Sequence, residues 1–563
     1  MNKRYIFSLV ALASVPAFAQ MDNTVEVETS VTPVVKDANK INVLPQVVES
    51  ETVHNSVSYS NKLLQTKKYI FAPVDMMSPE TVGEGADKGF FSLGAGSAGN
   101  LDIHGAYGFN VSKNDVLGIR FSVDGFSCKN ARKNTGLYKY GDKKPKSRFY
   151  TTRGAVDYTH KYAGGLSEFY IRTGLESQAF NYVAPASKET DKQNNSLGEV
   201  VIGTTDYKSN DFRMCGEFGY EFFNQKYLTN TEKKYTEGQA HINADFGVFF
   251  NEESSLNLDF GINSASYGME RYGSYTHAHV LPYYRFDDYD FSVKVGIYLG
   301  AGGVAPDLRF EYHASEYTDL YAQLAGYETE NDFRAFNALN PYAMLPAIPA
   351  TNGNVKTEDV KIKPEFHKLD FKAGVRFRSD AGFAGDFNLG YDKSKNRSEL
   401  TAMSVATNNI VNQTFITFVD GGRFYANMDI VYNYDEYIKF DFKNQFNSWS
   451  LSKDDKYGIA LARPMMDLDW NMDVKICDGF FVGGDLKIQS FKKTEVEDSK
   501  KQTFKAYKRP TTVDMGVTAH YVFPKYPLSI YANIDNLFNS NFDRFYGYRA
   551  VGPNFIIGAA ITF

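Results

Sequence analysis

Three sets of side chains in this 563-residue sequence have the types and spacing to do chemistry. His277 and His279 stand two apart in SYTHAHV. On a strand that spacing puts both imidazoles on one face, which suits a pair of metal ligands. No third donor lies nearby, so the spacing predicts ordinary wall histidines and no metal site. The second set is Asp467, Asp469, Asp473, Asp485 and Lys487, which can serve either as an ion-pair network or as a path for charged solutes. The third set is basic. Residues 128–148 hold Lys129, Arg132, Lys133, Lys139, Lys143, Lys144, Lys146 and Arg148 against the single acid Asp142. Residues 492–509 add seven basic residues against three acids. Motifs of nucleophilic, nucleotide-dependent or zinc hydrolases (G-x-S-x-G, the P-loop, H-E-x-x-H) do not occur. The sequence therefore predicts no catalytic residue, no cofactor-binding residue and no enzyme.

The elements that carry these residues are strands. In MDLDWNMDVKI, Met466, Leu468, Trp470, Met472, Val474 and Ile476 alternate with Asp467, Asp469, Asn471, Asp473 and Lys475. Successive side chains of a strand point to opposite faces, so one face is apolar throughout and the other is charged. The pattern recurs in RFYANMDIVYNY, where Phe424, Met428 and Ile430 oppose Arg423, Asn427 and Asp429, and again in TVDMGVTAHYV, LSIYANID and NFIIGAAITF. Segments of about ten residues with a period of two, separated by turns, mark a transmembrane β-barrel. A Lys or Arg facing lipid near the midplane costs ~2–4 kcal/mol. Met466, Leu468, Trp470, Met472, Val474, Phe424, Met428 and Ile430 are therefore expected against lipid, and Asp467, Asp469, Asp473, Asp485 and Lys487 in the lumen.

Connection lengths test this independently, since such barrels have short periplasmic turns and long outer loops. With Phe563 placed at the periplasmic side, short turns fall at 524–527, 477–479, 435–437, 379–382, 315–319, 287–290, 251–254, 209–211, 163–165 and 112–115. Longer segments alternate with them at 538–552, 492–511, 450–465, 396–422, 328–365, 225–238, 183–197 and 128–148, while 97–100 and 301–306 are short. The reading is all-β: an antiparallel barrel of about 22 strands, within a range of roughly 18–24, starting near Gly89. The alternation is weakest near 256–267 and 307–313.

Residues 1–19 read as a signal peptide: Lys3 and Arg4, an apolar run, then Ala17-Phe18-Ala19 before Gln20. Residues 20–87 form an N-terminal extension, periplasmic or lumenal, and 88–563 the barrel. Beyond residue 20 no apolar run is long enough for a membrane helix. Cys128, Cys215 and Cys477 are widely spaced and form no disulfide or metal framework. A net charge of -6 suggests no nucleic-acid partner. The expected location is the outer membrane of a Gram-negative bacterium.

The C-terminal half resembles the barrel of TonB-dependent outer-membrane receptors. The resemblance rests on Asn536-Leu537-Phe538-Asn539, then Gly552, Phe555, Gly558 and the terminal Phe563, and on Asn340–Ala343 followed by Ile362–Glu365, Leu369 and Gly374. Pro553 stands where the family usually has a Gly-Arg pair. The resemblance implies a 22-stranded barrel and uptake of iron chelates, vitamins or glycans. It also implies an N-terminal plug of well over a hundred residues, whereas here the extension before the first strand is shorter and shows no full plug. Thr24–Val31, in TVEVETSV, resembles a segment that contacts TonB by strand addition, but a disordered exported N-terminus is the better account of it.

Two functions are open on this reading. One is solute transport across the outer membrane. The other is a non-transporting barrel subunit of an outer-membrane assembly or export complex. Expected partners are membrane lipid and lipopolysaccharide, whose phosphates suit Lys129, Arg132, Lys133, Lys143, Lys144 and Lys146, although a solvated basic loop is the simpler account of these residues. Another outer-membrane protein or a surface lipoprotein is a further candidate, and engagement of TonB is open. The loop 328–365, with Phe333, Phe336 and Tyr342, is too apolar to hang in water and is expected to fold inward or meet a partner.

Overall fold

In the computed structural model the described residues are 89–129, 146–162, 167–181, 192–209, 211–226, 234–343, 348–349, 355–356, 360–402, 414–434, 437–451, 463–491, 493–498 and 503–563. They include 22 strands joined in one antiparallel sheet, each paired with the next in the chain. Gly89–Gly96 pairs on one side with Leu101–Asn110 and on the other with Asn554–Thr562, so the sheet closes on itself. Closure leaves no unpaired edge, which is what lets a sheet stand in lipid. The strand number agrees with the expectation from sequence. Among the described residues no helix is long and apolar enough to cross a membrane; a barrel crosses with strands.

The weakly alternating stretches lie within full strands, Ser254–Tyr267 and Gly303–Ser315. The expected loop 396–422 is narrower than read, because Phe383–Ala402 and Thr414–Tyr434 both run into it. The cause is a bulge. Register shifts between Ser394 and Arg397, and Asn396 takes a positive φ of 58°. One extra residue reverses the phase of the alternation, so a strict period of two ends there although the strand does not. The expected loop 492–511 likewise contains a hairpin, Lys493–Asp498 against Thr503–Lys508.

The charged face of the wall is braced by tyrosines. Tyr170, Tyr321 and Tyr425 each reach over an intervening strand to an acid: Glu217 at 3.0 Å, Asp386 at 2.7 Å and Asp370 at 3.0 Å. Tyr531 reaches Asp102 at 2.9 Å across the seam where last and first strands meet. Its ring lies where side chains at Gly558 and Gly94 would stand, so only glycine fits beneath it. The opposite face carries large exposed apolar residues all round the ring, among them Leu93, Phe121, Leu175, Phe246, Ile297, Leu389 and Ile557.

Candidate functional site: a capped bore

After the strand Thr318–Thr329 the chain turns across the barrel. The helix Phe333–Leu339 begins at Asp332, whose carboxylate accepts from the Ala335 amide as an N-cap. Two turns of helix are unstable alone, so packing must hold them. Phe333 is 1% exposed and meets the rings of Tyr267, Tyr272 and Phe223 at centroid distances of 4.9, 5.4 and 6.0 Å. Phe336 packs on Phe418 at 5.9 Å. Beyond the helix, Tyr342 stacks on Tyr548 at 3.7 Å and meets Phe180 edge-on at 5.1 Å. Burial pushes the Tyr342 phenol pKa up.

Polar contacts fix the register of this cap. The Phe333 amide donates to Glu237 at 2.6 Å, and Asn337 donates to Gln178 at 3.1 Å. Asn195 donates to Asn337 Oδ1 at 2.7 Å, and Asn340 donates to the Thr414 hydroxyl at 3.0 Å. Arg334 pairs with Glu199 at 2.9 Å and with Glu221. Burial pulls the Arg334 pKa down, but the Glu221 and Glu199 carboxylates more than offset it, so the guanidinium stays above its ordinary value. Glu168–Asn181, which supplies Gln178, is the fifth strand of the ring, and Thr414–Tyr434 is the sixteenth. In a ring of 22 these are eleven apart by either route, hence diametrically opposed. A segment that touches both lies across the bore. The apolar loop therefore folds inward, one of the two outcomes its composition predicted.

The start of the cap is tied to the wall and to the returning chain. Tyr275 donates to Glu330 at 2.7 Å, His277 Nε2 lies 2.9 Å from Glu330, and Asn331 donates to the carbonyls of Lys363 and Asn396 at 2.8 and 2.7 Å. His279 instead lies 2.9 Å from Asp259 and stacks on Tyr298. The two histidines thus serve different acids and do not converge on one point. Glu311, His313 and Asp319 do bring ligand atoms within 4.8 Å of one another. The Glu311 oxygens already face Arg309 at 2.9 Å and Arg376 at 3.0 Å, an environment unfavourable to a metal cation.

Asp467, Asp469, Asp473, Asp485 and Lys487 share one face of two paired strands, Pro464–Cys477 and Phe480–Phe491. Lys487 lies 3.4 Å from Asp469, and Gln489 donates to Asp467 at 3.0 Å. Asp485 stands in register with Asn471, and Asp473 with Gly483. Met466, Leu468, Trp470, Met472 and Val474 occupy the other face, in line with Phe424, Met428 and Ile430 two strands away. Phe424 and Met472 are each 50% exposed there. Asn444 interrupts this apolar row, between Met428 and Leu468. Its amide is satisfied, accepting from Trp470 Nε1 at 3.0 Å and donating to the Met428 carbonyl at 3.3 Å.

Arg132, Lys133, Lys143 and Lys144 lie outside the described residues; Lys129 and Lys146 are register partners at the end of their hairpin. Residues 1–88, with the signal peptide, the N-terminal extension and Thr24–Val31, also lie outside the described residues. Cys128 and Cys215 are half-buried in the wall and Cys477 is exposed. Sequence reasoning missed Arg334, Glu199, Glu221 and Glu237. The only local hint was a capping Asp332 ahead of Phe333 and Phe336 in a loop.

No protein-family model and no curated protein matches this sequence. Solved structures do match. The ferric enterobactin receptor of Pseudomonas aeruginosa superposes with a TM-score of 0.61 at 12% identity, over 84% of this chain and 81% of that one. The siderophore receptor PirA of Acinetobacter baumannii gives 0.61 at 10% identity, over 86% and 81%. The FrpB iron transporter of Neisseria meningitidis gives 0.59 at 9% identity, over 85% and 81%. At these identities the likeness is one of fold. The chain has the 22-stranded barrel of TonB-dependent outer-membrane receptors, as the C-terminal motifs implied.

Proposed function

We propose that this protein is an outer-membrane barrel for solute transport of the receptor type, whose bore is closed by residues 330–343 of its own chain. The observation that carries the reading is the cap spanning opposite walls of a 22-stranded ring. An open bore of this size would leak, so a large barrel needs a plug, and here an outer connection supplies one. The folds it resembles belong to proteins described as iron, siderophore or copper receptors and transporters, which favours uptake over catalysis. In this reading residues 1–19 direct export, residues 20–87 are periplasmic or lumenal, and the apolar face with Trp470 and Met428 meets lipid. Lysines of the 128–148 hairpin then contact lipopolysaccharide phosphates.

Planar-bilayer conductance tests the closure. The full-length protein is expected to be silent or nearly so, and a variant with 333–343 replaced by a short Gly-Ser linker is expected to conduct strongly. A permanently open, large-conductance wild-type pore refutes the capped reading. Gentle detergent extraction followed by mass spectrometry tests the transport role. Stoichiometric recovery with another barrel or with surface lipoproteins, without a nutrient-specific growth defect on deletion, overturns it in favour of a scaffold subunit.

A further inference from the structure

Arg334 does more than join the cap to the wall. Glu199 and Glu221 are direct cross-strand partners in the strands Lys192–Lys208 and Phe212–Lys226. Like charges directly opposite one another destabilise a sheet. Glu237, on the next strand, lies on the same face and accepts the Phe333 amide. This arrangement of carboxylates calls for a cation, and the guanidinium of Arg334 is seated in it, with one nitrogen to Glu199 and one to Glu221. Arg334 itself is 9% exposed, whereas the Glu199 side chain is 42% exposed, so the site is filled from the cap and still reachable from solvent. Two carboxylates holding two nitrogens of one guanidinium is recognition of a fork-shaped cation.

We propose that Glu199 and Glu221, with Glu237 beside them, form a binding site for an organic cation bearing a guanidinium group, and that Arg334 occupies it as a tethered internal ligand. Any movement of the cap withdraws Arg334 from the paired carboxylates. A soluble guanidinium compound arriving then takes its place and holds the cap displaced. The site rests on the capped-bore reading for its role in transport, but it is tested by binding alone, so its failure and the failure of that reading are separable.

The test uses the full-length protein in detergent and L-argininamide as the probe, followed by isothermal titration calorimetry at low salt. A tethered competitor acts at millimolar effective concentration, so wild type is expected to bind weakly. Arg334→Ala is expected to bind at least about tenfold more tightly, the factor expected for one charge-assisted hydrogen bond to a carboxylate. Adding Glu221→Gln to that variant is expected to abolish the gain, and Arg334→Lys, which returns a cation to the tether, is expected to stay near wild type. Arg334→Gln, which keeps a polar side chain with a donor but no charge, gives the same readout if the alanine variant does not assemble. Equal binding by wild type and both uncharged variants, or a gain that survives Glu221→Gln, overturns the proposal.

Discussion

Removing the Phe333 ring should open the bore without unfolding the barrel. Phe333 is 1% exposed and is surrounded by Phe223, Tyr267, Tyr272 and Phe336, so Phe333→Ala leaves a hole between cap and wall. A buried Phe→Ala change costs about 3–5 kcal/mol, the forfeited transfer energy plus the cavity. Most of that cost falls on the docked cap, because the Phe333 ring packs between the cap and the strands Phe212–Lys226 and Ser254–Tyr267, with Tyr272 beside them. Each 1.4 kcal/mol is a factor of ten, so the ratio of undocked to docked cap should rise between about a hundredfold and a few thousandfold. Single-channel recording in planar bilayers reads this directly as the fraction of time spent open. Phe424→Ala, which removes a ring of the same size from the opposite face, is the control and should leave the trace quiet. Heat-modifiable gel migration confirms that both variants are folded barrels. If Phe333→Ala is as silent as wild type while correctly assembled, the cap does not close the conducting path and the reasoning fails.

Three further predictions concern the wall. Met428→Arg should impair assembly, with a cost of ~2–4 kcal/mol if the residue sits near the midplane, while Asp429→Arg on the other face should be far better tolerated; equal tolerance in the gel-shift assay would reverse or dissolve the assignment of faces. Gly558→Ala places a Cβ 2.3 Å from the Tyr531 ring; the ring must leave Asp102, and an overpacking cost of about 1–3 kcal/mol should lower the temperature at which the folded band converts to the unfolded one. Lys487→Ala breaks a pair whose side chains are 40% and 41% exposed, so assembly should change by less than about 1 kcal/mol; a large loss would mean that the acids of this face depend on Lys487 for their stability.

What the sequence makes legible is what repeats locally. The alternation from Met466 to Ile476 depends only on neighbours, and so does the contrast of short and long connections, which is why strand number and closure could be read. The bulge at Asn396 shows the limit of that logic, since one inserted residue hides a continuing strand. Asn444 shows another: a polar residue in an apolar row is tolerable only because Trp470, on a neighbouring strand, donates to it. The candidate site was legible only as an apolar loop that had to be buried somewhere. Arg334 is 135 residues from Glu199 and Asn337 is 159 from Gln178, and no local pattern announces pairings across a ring.

The tyrosine braces have a mechanical consequence. Tyr170, Tyr321, Tyr425 and Tyr531 each tie non-adjacent strands, acting along the circumference rather than along the strands. They work as hoops on a cask. Flattening the cylinder or sliding one stave past another would stretch several of them at once, whereas lifting the cap stretches none. A cylinder hooped in this way resists a change of girth. If this barrel admits anything, the girth stays fixed and the lid moves.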